Sequence, residues 1–482
     1  MRGPGRQQGL ALLVLVAVLT ATVATVAINT PNHSDNQAAR DRISQSALAE
    51  AKDALIGYAI TYGDTHPVQV HGYLPCPDQA GGNPEGSAEP TCGSQDVSQL
   101  GRLPWRTLDI GALRGGDGEC LWYAVSGNYK NNPKTGLMNW DTNGQLRVYG
   151  PDGTLLTAPD NQAVAVIFSS GMALPGQNRS GSSAPTCGGN YTSGNYLDAA
   201  GGYNNATVSG VAGANSDFRI GDHNATGDRL VFITKQDMWN ALRKRSDFLA
   251  TLDTMTRKTA ECIAYFATKN LTDGIPDPSN MSLPWPAPLS LVDYSENVEY
   301  DDAINRYAGH VPYRVNNSRT TTANAIASDF LLTSGTCSAG VCINNCPNPS
   351  DWANLYYPWW NNWKDHLFYG ISRNYQPANQ VTPPCGNCVS VNSSGQYAAV
   401  VVFANQRLAG QNRASSPTDP ARGIASNYLE GSNALNIANP SASGIENYQA
   451  ATESPTFNDI LYCIKQDLSV VKRNPASIPA CP

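Results

Sequence analysis

Charge is scarce in this chain: only 15% of its 482 residues are Asp, Glu, Lys or Arg, and the net charge is −7. No run of Lys or Arg could neutralise a phosphate backbone, so no nucleic-acid partner is expected. The six histidines, His33, His66, His71, His223, His310 and His366, form no HExxH and show no zinc-ligand spacing. A Gly-x-Ser-x-Gly elbow, a Walker loop and a dinucleotide fingerprint after a strand are also missing. No metal, no cofactor and no enzymatic activity are expected. Beyond the first thirty residues there is no apolar run of membrane-spanning length.

What is plentiful is Gly (43 residues), Pro (32), and Asn, Ser and Thr, a balance that favours loop-rich, β-containing exported domains. The length predicts more than one folded unit. Twelve cysteines, an even number, read as disulfide partners in an oxidising compartment: Cys76, Cys92, Cys120, Cys187, Cys262, Cys337, Cys342, Cys346, Cys385, Cys388, Cys463 and Cys481. Spacing alone leaves their connectivity open. Cys385-Gly-Asn-Cys388 has CxxC spacing without a thioredoxin-like βαβ context or a second CxxC, so a structural disulfide is favoured over redox or metal chemistry.

Arg2 and Arg6 precede an uncharged segment of 19 residues from Leu10 to Ile28. At about 1.5 Å per residue this approaches the roughly 30 Å of a bilayer core, and the arginines would keep the N-terminus cytoplasmic. The expectation is a single-pass inner-membrane protein whose body is periplasmic or extracellular. An ordinary signal peptide cut after Ala24 or Ala27 is the competing reading. After Pro31, Ser34-Asp-Asn-Gln37 has capping-box spacing, and Ala38, Ile43, Ala47, Leu48, Ala51, Leu55, Ala59 and Ile60 recur with helical period up to Gly63.

Gly9 before an apolar segment, a proline about twenty residues on and a long amphipathic helix resemble the leader and first helix of type IV pilins and type II secretion pseudopilins. Leu48 to Tyr58, Gly72 to Asp78, Gly101 to Trp105 and Leu121 to Ser126 are similar to bacterial proteins labelled as prepilin-type or secretion-related. The resemblance implies cleavage between Gly9 and Leu10 by a prepilin peptidase, and other pilin-like or secretion-system subunits as partners. Family members carry a glutamate five residues after the cleaved bond, whereas this chain has Val14. That departure implies a minor or tip-located subunit.

An internal duplication organises the rest. Leu103-Pro-Trp105 recurs as Leu283-Pro-Trp285, Leu121 to Tyr129 as Leu367 to Tyr375, and Ala163 to Phe168 as Ala398 to Phe403. The longest identities are Gly176-Gln-Asn-Arg179 with Gly410-Gln-Asn-Arg413, Asn195-Tyr-Leu197 with Asn427-Tyr-Leu429, and Lys235-Gln-Asp237 with Lys465-Gln-Asp467. The predicted fold is α+β: a leader (1–9), a transmembrane helix (10–28) extended into an amphipathic helix, and two tandem pilin-like heads (29–247 and 248–482). Each head is a helix packed on an antiparallel sheet. Strands are predicted at Leu121–Val125, Gln145–Tyr149, Ala163–Ser169 and Leu230–Thr234, and a second helix at about Ser246–Thr268.

The interval from the Leu-Pro-Trp motif to the Tyr-rich strand grows from 18 residues in the first copy to 84 in the second, and this insertion spans about 286–366. Its Trp352, Tyr356, Tyr357, Trp359, Trp360 and Trp363 either form a small core or stack on a glycan or surface receptor. Asp141-Thr-Asn143-Gly-Gln145 reads as a hairpin turn in preference to a calcium loop. Asp301-Asp302, Glu296 and Glu299 read as solvated loop charges in preference to a glycosidase dyad. The expected function is a structural or adhesive subunit of a pilus or secretion-type filament. An exported glycan-binding module or polysaccharide hydrolase is the alternative.

Overall fold

The computed structural model describes residues 33–473 apart from 201, 222–226, 270–281, 316–317, 319–330, 335–345, 378–384, 387 and 442–444. Gly9, Leu10, the segment 10–28, His223, Cys337, Cys342 and Cys481 therefore lie outside the described residues.

The described chain begins with helix α1 (His33–Thr65). Its apolar stripe turns inward only after about four turns: Ala47, Leu48, Ala51, Leu55 and Ala59 are buried, while Ile43 is 53% exposed. Four short strands follow: β1 (Gln99–Arg102), β2 (Trp122–Val125), β3 (Leu146–Tyr149) and β4 (Ala163–Ser169). A small ribbon, β5 (Ala199–Ala200) with β6 (Tyr203–Asn204), precedes β7 (Ser216–Arg219) and β8 (Arg229–Thr234). The sheet runs β1-β2-β4-β3-β7, with β8 on the other side of β4. Its pairs are antiparallel except β3 with β7. The chain then turns into α2 (Lys235–Arg243). The Thr234 hydroxyl accepts from the Asp237 amide, and the Asp237 carboxylate accepts from the Thr234 amide, which caps the new helix.

The second unit opens with α3 (Ser246–Lys269) and continues through β9 (Ala308–His310). A short turn (Pro349–Asp351), a π-helical turn (Trp352–Tyr356) and α4 (Tyr357–Trp363) lead into β10 (Leu367–Ile371). Then come β11 (Val389–Val391), β12 (Ser394–Phe403), α5 (Gly431–Ala438), β13 (Asn447–Tyr448), β14 (Ile460–Lys465) and β15 (Val470–Arg473). The order is β9-β10-β12-β11-β13, with β14 on the other side of β12 and β15 beyond it. Here too the outermost pair, β11 with β13, is the parallel one. Strand for strand the two sheets have one connectivity, and β15 is the addition.

Both faces of each sheet are covered at its centre, so β2, β4 and β10 are buried throughout, whereas the outer strands β3 and β7 alternate. All seven residues of β4 are buried. Tyr123, Val125, Ala165 and Ile167 face the helices, whereas Trp122, Ala124, Val166 and Phe168 face a layer that includes Tyr196 and Leu197 of a loop and Phe218 of β7. The second sheet divides in the same way, with Tyr369, Val401 and Phe403 toward the helices and Phe368, Val400 and Val402 toward Tyr428 and Ile437.

Three expectations are corrected. Among the described residues no helix is long and apolar enough to cross a membrane. Arg40, Asp41, Arg42, Glu50, Lys52 and Asp53 stud α1, a helix that packs on protein along one face only. The single-pass inner-membrane placement and the membrane and pilin labels attached to it thus lose their support, and the segment 10–28 that carried them is outside the described residues. The α+β plan of a membrane helix followed by two heads in series is replaced by two curled sheets with helices laid on them. These are not independent beads: one core cluster contains α1 residues Leu48 and Leu55, Trp140, α3 residues Leu252 and Ile263, and Trp359, Trp360 and Trp363.

The third correction concerns residues 141–145, which form no hairpin. β3 starts only at Leu146, and Gly144 lies so close to β4 that a Cβ there would come within 2.1 Å of the Ala163 carbonyl oxygen.

Candidate functional site at the junction of the two units

A buried grouping of titratable side chains forms where the loop between β2 and β3 of the first unit packs against the second. Met138 and Asn139 grip the end of α4: the Met138 amide donates to the Asn362 side-chain oxygen (2.8 Å), and the Asn139 amide group donates to the Asn362 carbonyl (2.8 Å) and to Asp365 Oδ1 (3.2 Å). This grip places Asp141 Oδ2 2.9 Å from His366 Nε2, while His366 Nδ1 is 3.0 Å from Asp365 Oδ1. Arg422 closes on Asp365 from the far side, and Arg413 Nη1 is 3.7 Å from Asp141. Trp140, Trp363, Phe403 and Tyr428 wall the cluster. Asp365 and His366 are 0% exposed, and Arg422 1%.

Such burial costs several kcal/mol per ion unless every charge is paired. Burial alone would strip His366 of its proton, but Asp365 and Asp141 outweigh it and hold the imidazole pKa above its ordinary value. Burial likewise pushes the Asp141 carboxyl up, and Arg413 with His366 overcomes that push and keeps it below the ordinary carboxylate value. His366 Nε2 also lies 2.9 Å from Trp140 Nε1, an arrangement in which a neutral ring would accept from the indole. One nitrogen cannot serve both neighbours. The two carboxylates favour the imidazolium, whose Nδ1 faces Asp365 and whose Nε2 faces Asp141, over the neutral ring that the indole contact would use.

A histidine between two carboxylates has the parts of an acid–base catalyst. Here the parts are sealed. No Ser, Cys or Thr side chain hydrogen-bonds His366 among the described residues, and the ring has no solvent exposure. What the cluster does is join Asn139, Trp140 and Asp141 of the first unit to Asp365, His366, Arg413 and Arg422 of the second.

Arg413 belongs to a module present in both units. Its Nε donates to the Asn427 carbonyl (2.8 Å), Nη1 to Asn405 O (2.6 Å), and Nη2 to Tyr428 O (2.9 Å) and Gln411 Oε1 (3.0 Å). Arg179 does the same with Asn195 O (2.9 Å), Gly171 O (2.8 Å), Tyr196 O (3.3 Å) and Gln177 Oε1 (3.0 Å). Each guanidinium lies over the tyrosine of its Asn-Tyr-Leu motif, at 5.2 Å from the Tyr196 ring and 4.9 Å from the Tyr428 ring. Two of the three longest sequence identities thus form one arginine-centred knot that satisfies loop carbonyls under the sheet.

The insertion's tryptophans fill the core and do not form a receptor face: Trp352, Trp360 and Trp363 are at most 1% exposed and Trp359 is 8% exposed, with Tyr356 and Tyr357 half-buried beside them. Cys262–Cys346 ties α3 to this segment, Cys76–Cys92 and Cys120–Cys187 staple the first unit, and Cys385 pairs with Cys388. Cys463 is buried on β14. Asp301 pairs with Arg314, and the buried Asp302 accepts from Ser318, so no open carboxylate dyad is formed there. No group of three or more acidic, His or Cys side chains among the described residues could hold a metal ion. A surface groove of about 560 Å³ lies instead in the second unit, lined by Leu289, Arg306, Ile424, Leu435 and Asn439. No known protein family, no curated protein and no solved structure matches this chain.

Sequence reasoning passed over Asp365, His366 and Arg422 because nothing in their spacing signals chemistry. The usable signal was the retention of Arg179 and Arg413 inside the longest identities of the repeat.

Proposed function

We propose that this protein is a structural subunit of a filament-like or secretion-type assembly outside the cytoplasm, working through its surfaces and not by catalysis. The observation that carries this reading is the sealed junction: the side chains best suited to chemistry are spent on joining two disulfide-stapled units across a shared core. Disulfides supply the compartment argument, since they persist where the environment is oxidising. With the insertion's tryptophans buried, the glycan-binding and hydrolase alternative loses its proposed platform. The test is in-situ crosslinking of the native protein followed by mass spectrometry. Recurrent crosslinks to components of one envelope-associated assembly support the proposal. A protein crosslinked only to itself and turning over a polysaccharide substrate overturns it.

A further inference from the structure

Beneath each arginine knot lies a second repeated feature, a pair of buried acids. In the first unit the Asp198 amide and the Asn205 side chain both donate to Asp228 Oδ2, at 2.8 and 3.0 Å. Asp198 itself accepts from Gln177 Nε2 (3.1 Å) and the Gly227 amide (2.7 Å). In the second unit the Glu430 amide and the Asn433 side chain donate to Asp459 Oδ2, at 3.1 and 2.9 Å. Glu430 accepts from Gln411 Nε2 (2.7 Å) and the Asn458 amide (3.0 Å). The correspondence is residue for residue, although Asp has become Glu at one position and the flanking elements differ.

All four acids are at most 8% exposed, and Asp228 Oδ1 and Asp459 Oδ1 are each left without a hydrogen-bond partner among the described residues. A divalent cation does not explain the pair: calcium takes six to eight oxygens, and here all but one carboxylate oxygen of each pair already accepts. A proton does explain it, since it lets the unpartnered oxygen become a donor toward the neighbouring carboxylate. The nearest cation in the first unit, Arg179, is spent on loop carbonyls, Gln177 and Glu119. The corresponding Arg413 is spent on its own carbonyls, Gln411 and Asp141.

We propose that Asp198–Asp228 and Glu430–Asp459 are proton-holding clasps, one per unit, each closed by a single shared proton and loosened when that proton leaves. The second clasp seats the start of α5 through Glu430 and Asn433, and α5 supplies Leu435 to the surface groove. Opening this clasp therefore frees one wall of the groove, while opening the first frees the β5–β6 ribbon at Asn205.

Burial, with Asp198 beside it, raises the Asp228 pKa to about 7, and burial with Glu430 beside it raises Asp459 well above the carboxylate range. A folded-state pKa above the unfolded one gives stability that is complete below about pH 4 and is lost as pH rises through the folded value, near 7 for Asp228. The test is the melting temperature of the whole protein from pH 4 to 9, for wild type, Asp228→Asn, Asp459→Asn and the double variant. An asparagine amide can donate where the acid held its proton, so each replacement should remove part of the fall with pH and the double variant most of it. Hydrogen exchange in α5 should quicken with pH in wild type and less so in Asp459→Asn. Should the variants not fold, infrared spectra of wild type near neutral pH take their place: protonated carboxyl bands that persist there support the clasps. Absence of those bands, or a pH profile that the asparagines leave unchanged, overturns them.

Discussion

Lys-Gln-Asp stands at the end of β8 in the first unit and of β14 in the second, and it does two different things. In the first unit it opens α2, because Thr234 precedes it and caps the helix against Asp237. In the second, Ile464 stands in the threonine's place and offers no hydroxyl. The chain turns back instead, with the Lys465 amide bonded to Ser469 O (2.9 Å) and Leu468 at a φ of 64°, and β15 is added to the sheet. Against that divergence, the arginine knots and the buried acid pairs keep their hydrogen bonds in both, with Glu430 in the place of Asp198. A position that satisfies buried loop carbonyls leaves little choice of side chain, whereas a surface turn is free to change with one neighbouring residue.

Dependence between the units can be broken outright. A chain ending after residue 247 keeps the first sheet but loses the α3 and tryptophan side of the shared core, exposing Trp140, Trp239 and Met138. It should be insoluble or unfolded by circular dichroism. A soluble fragment with a cooperative melt would show that the first unit is autonomous.

The two knots can then be set against each other. Arg413→Met orphans loop carbonyls and leaves Asp141 short of a partner in a sealed site, so the loss in denaturant unfolding should be about 3–5 kcal/mol. Arg179→Met orphans similar carbonyls but faces only the partly exposed Glu119, and about 2 kcal/mol is expected. Equal losses would mean that the junction charge contributes nothing beyond the knot.

His366 sharpens the same comparison, because the first unit has no counterpart to it. Its folded pKa is held above 6.5, so its contribution is complete at pH values below 6.5 and is lost as pH rises through the folded value. His366→Gln should flatten the alkaline side of the melting-temperature profile, which would otherwise decline. At the small end, Lys472→Ala removes a partly exposed pair with Asp253 between β15 and α3, and should cost less than about 1 kcal/mol in the same unfolding experiment.

Residues 163–169 and 398–403 read as buried strands from sequence because both faces of each sheet are covered, and a continuous apolar run is the one pattern that meets that demand. The inward stripes of α1 and α3 were legible from helical period, except at Ala38, Ile43 and Leu249, which are exposed. The junction was not legible. Asp141 lay in what reads as a turn, and Asp365 and His366 are a bare dipeptide whose partners come from stretches more than 50 and 200 residues away.

What the sequence by itself determined is local: helices α1 and α3, the central strands and the order of the repeated motifs, set by side-chain period and turn chemistry. Tertiary structure alone decided which cysteines pair, that the tryptophans of the insertion are core, that the two units share that core, and that five charges can be buried together. Each of those outcomes depends on distances between residues far apart in the chain, and no spacing along the chain encodes such a distance.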